Sequence, residues 1–222
     1  MNDTRQAALK ATPYIDADTP SLMEFAKAHA GEGERRDRAI RLYYAVRDAV
    51  RYDMFTFGLD PQQFVASQCL RTPSAFCVPK AIALAAVARA AGIPARLGFA
   101  DVRNHLAPPK ITEMMDDDIF HWHAYTSLFL DGKWVKATPA FDLALCDRHK
   151  VKPLEFDGRN DSIFHPFDER GRKHMEYVRF IGEFDDFPFD VFASEMRTYY
   201  PRMLDFLERE RASRSGSGAD SR

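Results

Sequence analysis

The spacing of apolar residues changes period partway along the chain. Between residues 21 and 30 they return at helical intervals, with Ser21 as a candidate N-cap and Gly31 and Gly33 ending the run. A second helix is predicted over residues 34–52. There Ile40, Tyr43, Tyr44, Val46 and Val50 form one stripe, and Arg35, Arg36, Arg41, Arg47 and Arg51 lie largely opposite. Residues 53–76, broken by Gly58, Pro61 and Pro73, read as irregular. Residues 79–91 make the clearest helix. Pro79 suits its first turn, where a missing N–H is no loss, and Gly92 and Pro94 end it. Its body is apolar nearly all round, so it is expected to be buried.

After that helix the period shortens to two. Strands are predicted at 95–99, 124–130, 134–137 and 175–181. Asp131-Gly132 joins the second and third, and this dipeptide favours a type I′ hairpin, which needs positive φ at both positions. Residues 191–211 read as helical, broken or kinked at Pro201. Helices first and antiparallel strands afterwards predict an α+β fold. No linker divides the chain, so one domain is expected over 1–211, followed by a disordered tail at 212–222 that contains the run Ser213-Arg214-Ser215-Gly216.

Composition narrows the class. The chain has 222 residues, 45% of them hydrophobic, enough for a substantial core. A formal charge of −2 speaks against a nucleic-acid-coating surface. The longest apolar run, 81–88, is far short of the ~20 residues that span a membrane. The polar start Met1-Asn2-Asp3-Thr4-Arg5 carries no secretory pattern. Three cysteines, an odd number, do not make a disulfide scaffold, so a reducing cytoplasm is expected.

Among the cysteines, Cys77 stands out because it sits just ahead of the buried helix. Free N–H groups and the helix dipole stabilise a thiolate at such a place, and the thiolate is the attacking species. Its own N–H can donate to an oxyanion, with Gln68 the one candidate offered for a second donor. The plainer reading is a small buried hydrophobe. In the strand that opens His121-Trp122-His123-Ala124-Tyr125, alternation puts both histidines on one face and Trp122 on the other. An unbulged hairpin sets His123 opposite Ala140, with Thr138 and Asp142 diagonal to it. Either residue can orient the imidazole: Asp142 as an anion, which the chemistry favours, or Thr138 as a neutral hydroxyl.

These segments together resemble the transglutaminase-like superfamily. Its pattern of a cysteine opening a helix is matched by Phe76-Cys77-Val78-Pro79-Lys80-Ala81, and the phrase that ends the helix by Ala91-Gly92-Ile93-Pro94-Ala95-Arg96. His-Ala-aromatic entering a strand is matched by His123-Ala124-Tyr125, and the later tryptophan and proline by Trp134 and Pro139. The resemblance covers residues 40–145. The chain departs from it at Thr138, where the family has aspartate, and at Phe76, where it has glycine. The resemblance implies a papain-like core with catalytic Cys77 and His123, and a third role for Thr138 or Asp142. It implies acyl transfer through a Cys77 thioester, with hydrolysis of a peptide-like amide the expected outcome and no cofactor.

Two other readings stay open. One is a non-catalytic binding domain on the same fold, whose aromatic run Phe184, Phe187, Phe189 and Phe192 lines a groove or simply packs. The other is a zinc protein using His121, His123, Cys146 and His149, although paired Cys-x-x-Cys knuckles are missing. The acidic run Asp116-Asp117-Asp118 lacks the alternating spacing of calcium loops and reads as solvated. The segment 146–190, with His165-Pro166-Phe167-Asp168, is a candidate cover for the site.

Overall fold

The computed structural model describes residues 2–105, 107, 109–163 and 170–216. Helices α1 (Asn2–Ala7), α2 (Pro20–Ala30) and α3 (Arg35–Ala49) come first. The N-cap of α2 is Thr19, not Ser21, because Pro20 has the fixed φ that suits the first helical position. The irregular stretch holds β1 (Arg51–Tyr52), two 3₁₀ turns (Met54–Thr56 and Pro61–Phe64), α4 (Ala66–Cys69) and β2 (Ser74–Ala75). β1 and β2 pair in parallel, which ties the end of α3 to the approach of the next helix.

That helix is α5 (Cys77–Ala90), and it begins two residues before the predicted start. Every residue from Val78 to Arg89 is buried, so the all-round apolar pattern was a true sign of a central helix. Gly92 takes φ 73°, the left-handed end that lets Ile93 turn away. Two charged residues nevertheless lie inside. Arg89 donates to the carbonyls of Lys10, Ala95 and Asp185. Lys80 is completely buried and donates to the carbonyls of Arg47 and Val50, at the C-terminal end of α3. The negative end of the α3 dipole partly offsets the cost of burying that ammonium. Burial still lowers its pKa to about 8.

The remaining elements are β3 (Ala95–Asn104), α6 (Pro109–Met115), β4 (Ile119–Leu130), β5 (Lys133–Ala137), α7 (Leu143–His149), β6 (Met175–Phe184), α8 (Phe189–Tyr199) and α9 (Pro201–Gly216). The strands form an antiparallel sheet in the order β5-β4-β3-β6, with α5 packed on β3 and β4. The fold is α+β, as expected. Leu130 pairs with Lys133, and Asp131 and Gly132 have φ of 47° and 89°, the predicted I′ geometry. Gly98 faces Tyr125 across the β3–β4 ladder, and a Cβ there would stand 2.1 Å from the tyrosine ring.

One expectation holds and two change. Pro201 breaks the predicted helix: α8 ends at Tyr199 and Pro201 starts α9, where its fixed φ suits a helical start. That helix continues through Gly216, past residue 212, where a disordered tail was expected; residues 217–222 lie outside the described residues. The segment 146–190 is largely structure: α7, a loop that buries Leu154 and Phe156, and the edge strand β6. The run His165-Pro166-Phe167-Asp168, read as part of a cover, lies outside the described residues.

Candidate active site

Cys77 is the first residue of α5, with Phe76 extended before it in the N-cap position. The backbone N–H groups of Ala124, of Cys77 itself and of Val78 favour negative charge on its sulfur. Two of these are the free donors of a helix start; the third comes from β4. They favour a thiolate, as the sequence suggested, but burial outweighs them and pushes the thiol up to about 11. The balance favours a thiol over the thiolate expected from the helix start.

Ala124 follows His123, so the N–H that acts on the sulfur belongs to the neighbour of the imidazole-bearing residue. His123 pairs with Ala100 of β3 and is buried. Burial lowers its pKa to about 3, which leaves a neutral ring able to accept a proton. It does not pair with Ala140. The β4–β5 ladder stops at Thr126–Ala137, because the Thr138 N–H turns away to the Ser162 carbonyl and Pro139 has no N–H to offer.

Cys77 and His123 line one cavity of about 60 Å³. Its wall is mostly thioether and aromatic: Met54, Phe57, Phe76, Phe120, Met196 and Met203 among others. Phe76, which replaces the family's glycine, is buried and meets Phe57 and Phe64 edge-on. Phe187 and Phe192 also pack against Phe64, so the aromatic run beyond Phe184 is core, with Phe192 reaching the cavity wall.

His121 lines the cavity too, but alternation does not put it there. The β3–β4 register passes from Ala100–His123 to Val102–Phe120, so Asp101 alone faces both His121 and Trp122. This is a β-bulge, with Trp122 forced to φ 58°. All three of His121, Trp122 and His123 consequently reach the cavity. His121 stands between two carboxylates: Nδ1 lies 3.2 Å from Asp101 and Nε2 lies 3.2 Å from Asp117. Tyr199 stacks on the ring at 3.8 Å, and the Tyr200 hydroxyl accepts the His121 backbone N–H. Asp101 also takes Arg179 at 2.8 Å and the Trp122 N–H at 3.2 Å.

Residues 24–139, more than half of the chain, match the pattern of the Transglutaminase-like superfamily. The chain belongs to that superfamily. No curated protein matches it. Among solved structures, one from Cytophaga hutchinsonii, described as a "putative cysteine protease", is similar with 18% identity over 63% of this chain and 43% of that one, at a TM-score of 0.47. A second, described as a "putative protease" from Parabacteroides distasonis, has 15% identity over 61% of this chain and 26% of that one, at a TM-score of 0.37. The chain thus spans less than half the length of either.

The transglutaminase-like pattern places an aspartate where this chain has Thr138. That residue is buried, its N–H and carbonyl are held by Ser162 and Tyr43, and its hydroxyl oxygen has no hydrogen-bond partner. Asp142 is committed elsewhere. One oxygen caps α7 through the Leu145 N–H at 3.0 Å, and the other accepts the Tyr52 N–H at 2.6 Å. Those bonds and the nearby Lys80 ammonium hold its carboxyl below the usual range even though burial acts the other way. The expectation that Asp142 orients His123 gives way to a capping role. Gln68 is exposed and does not line the cavity.

Among the described residues no three His, Cys, Asp or Glu side chains form a metal-holding group. Cys146 and His149 sit on α7, and His121 and His123 on β4. The acidic run is engaged with protein: Asp116 with Arg202, Asp117 with His121, and Asp118 with Arg103. No helix among the described residues is long and apolar enough to cross a membrane. The sequence reading missed Asp101, Asp117, Tyr199 and Tyr200. The one available signal was Asp101 itself, a carboxylate between the apolar Ala100 and Val102.

Proposed function

We propose that this chain is a cysteine hydrolase of peptide-like amides. One observation carries the reading: Cys77, at the start of α5, and His123, on β4, open on one cavity. His123 takes the thiol proton as sulfur attacks the carbonyl carbon, then gives it to the departing amine. The helix-start N–H groups favour negative charge at that point. A thioester forms between Cys77 and the acyl group, the C–N bond breaks, and water then releases the acid. The resting pair is a neutral imidazole and a thiol, so the proton moves only as substrate binding and attack change the surroundings of the pair. Three free cysteines fit a reducing compartment such as the cytoplasm.

Acid-quenched mass spectrometry during turnover of a peptide amide pool tests the proposal. An acyl adduct on Cys77, formed together with one equivalent of amine and missing in Cys77→Ser and His123→Ala, is the expected result. Amine release that persists in Cys77→Ser, or no release at all, refutes it. The second reading, a binding domain without chemistry, is favoured by the Thr138 substitution, and it predicts no release from any amide.

A further inference from the structure

The cavity beside Cys77 is unusual in what its wall is made of. Four of the chain's eight methionines line it, each from a different element: Met54 from a 3₁₀ turn, Met115 from α6, Met196 from α8 and Met203 from α9. Among the described residues no lysine, arginine, aspartate or glutamate reaches the wall. Two of its polar groups are already engaged. His121 lies between Asp101 and Asp117, and the Tyr200 hydroxyl donates to the Ile119 carbonyl at 2.7 Å while accepting the His121 N–H. An ammonium group pushed in here would lose water and find no carboxylate on the wall, and an amide would find one spare donor, the Trp122 indole N–H, and no spare charge. Thioethers, by contrast, adapt to several aliphatic shapes.

The size agrees. A free volume of about 60 Å³ holds roughly four water-sized groups. That is the heavy-atom count of a leucine or methionine side chain. From this wall, and resting on the cysteine-hydrolase reading above, we propose that the cavity is a specificity pocket for an aliphatic or thioether side chain on the residue whose carbonyl Cys77 attacks. Glutamine, the acyl donor of a protein cross-linking reaction, is the substrate this wall discriminates against.

The test uses the full chain and a set of N-acetyl aminoacyl chloromethyl ketones bearing leucine, methionine, glutamine and lysine side chains. Each alkylates a thiol by forming a C–S bond and expelling chloride, with the thiol proton leaving to base, so turnover is not required. The expected result is that the leucine and methionine probes label Cys77 at least ~10-fold faster than the glutamine and lysine probes. Met115→Gln and Met203→Gln should each narrow that ratio. The wild-type competition stands by itself if a variant does not fold. Equal or reversed rates, with Cys77 still labelled, overturn the pocket and leave the hydrolase reading intact. No labelling of Cys77 by any probe overturns the hydrolase reading, and the pocket with it.

Discussion

The cavity has a floor and a rim, and its two histidines divide between them. At the floor, His123 is buried on β4 with its pKa pressed down to about 3 by burial, beside a thiol pressed up to about 11. At the rim, two residues away, His121 sits between Asp101 and Asp117 under the Tyr199 ring, with Arg179 behind Asp101. The floor has lost its family carboxylate to Thr138; the rim has two. Desolvation and charge pairing thus act on the same residue type within one strand, and a single bulge separates them. Proximity in sequence says little about which histidine meets a carboxylate.

The sharpest break is nucleophile removal. Cys77→Ala should reduce amide hydrolysis by at least ~1,000-fold, whereas His121→Gln should cost less than ~10-fold, both read as kcat/KM. Equal losses would erase the distinction between floor and rim. Next comes acid stability. His123 has a folded pKa of about 3 against 6.5 for an ordinary histidine, so the unfolded chain binds the extra proton between those limits. The stability this group contributes is therefore full above pH ~6.5 and lost as pH falls towards 3, roughly 5 kcal/mol in all. His123→Gln should flatten that part of a urea-melt pH profile, and an unchanged slope would contradict the buried neutral ring.

Giving the floor a carboxylate sharpens the comparison further. Thr138→Asp restores the family's residue and should raise the imidazole pKa, speeding iodoacetamide labelling of Cys77 at pH 7 by ~10-fold or more. An unaltered rate would show that Thr138 does not speak to His123. The smallest effect belongs to the rim. Asp117 is partly exposed, and Asp117→Asn should change kcat/KM by less than ~3-fold.

Elements with a strong local signature were legible in advance. The α5 burial, the Gly92 end and the Asp131-Gly132 turn each follow from residue types within a few positions, and the structure reproduces them. The ordered family blocks led to the superfamily for the same reason. What escaped were long-range choices. Nothing near Trp122 announces a bulge, because the bulge is set by how β3 and β4 register across the sheet. Asp142 is acidic and close in sequence to the hairpin, but Tyr52 and Leu145 claim its oxygens first. The thiolate argument had the right donors at Cys77 and could not weigh them against burial.

Lys80 has one further consequence. Its ammonium lies on the nucleophile's helix one turn beyond Cys77, completely enclosed and fastened to the end of α3. An acylating reagent or a lysine-modifying enzyme cannot reach it while the two helices stay together. Its rate of modification therefore clocks the opening of the whole core, while the exposed lysines record only their own collisions with the reagent.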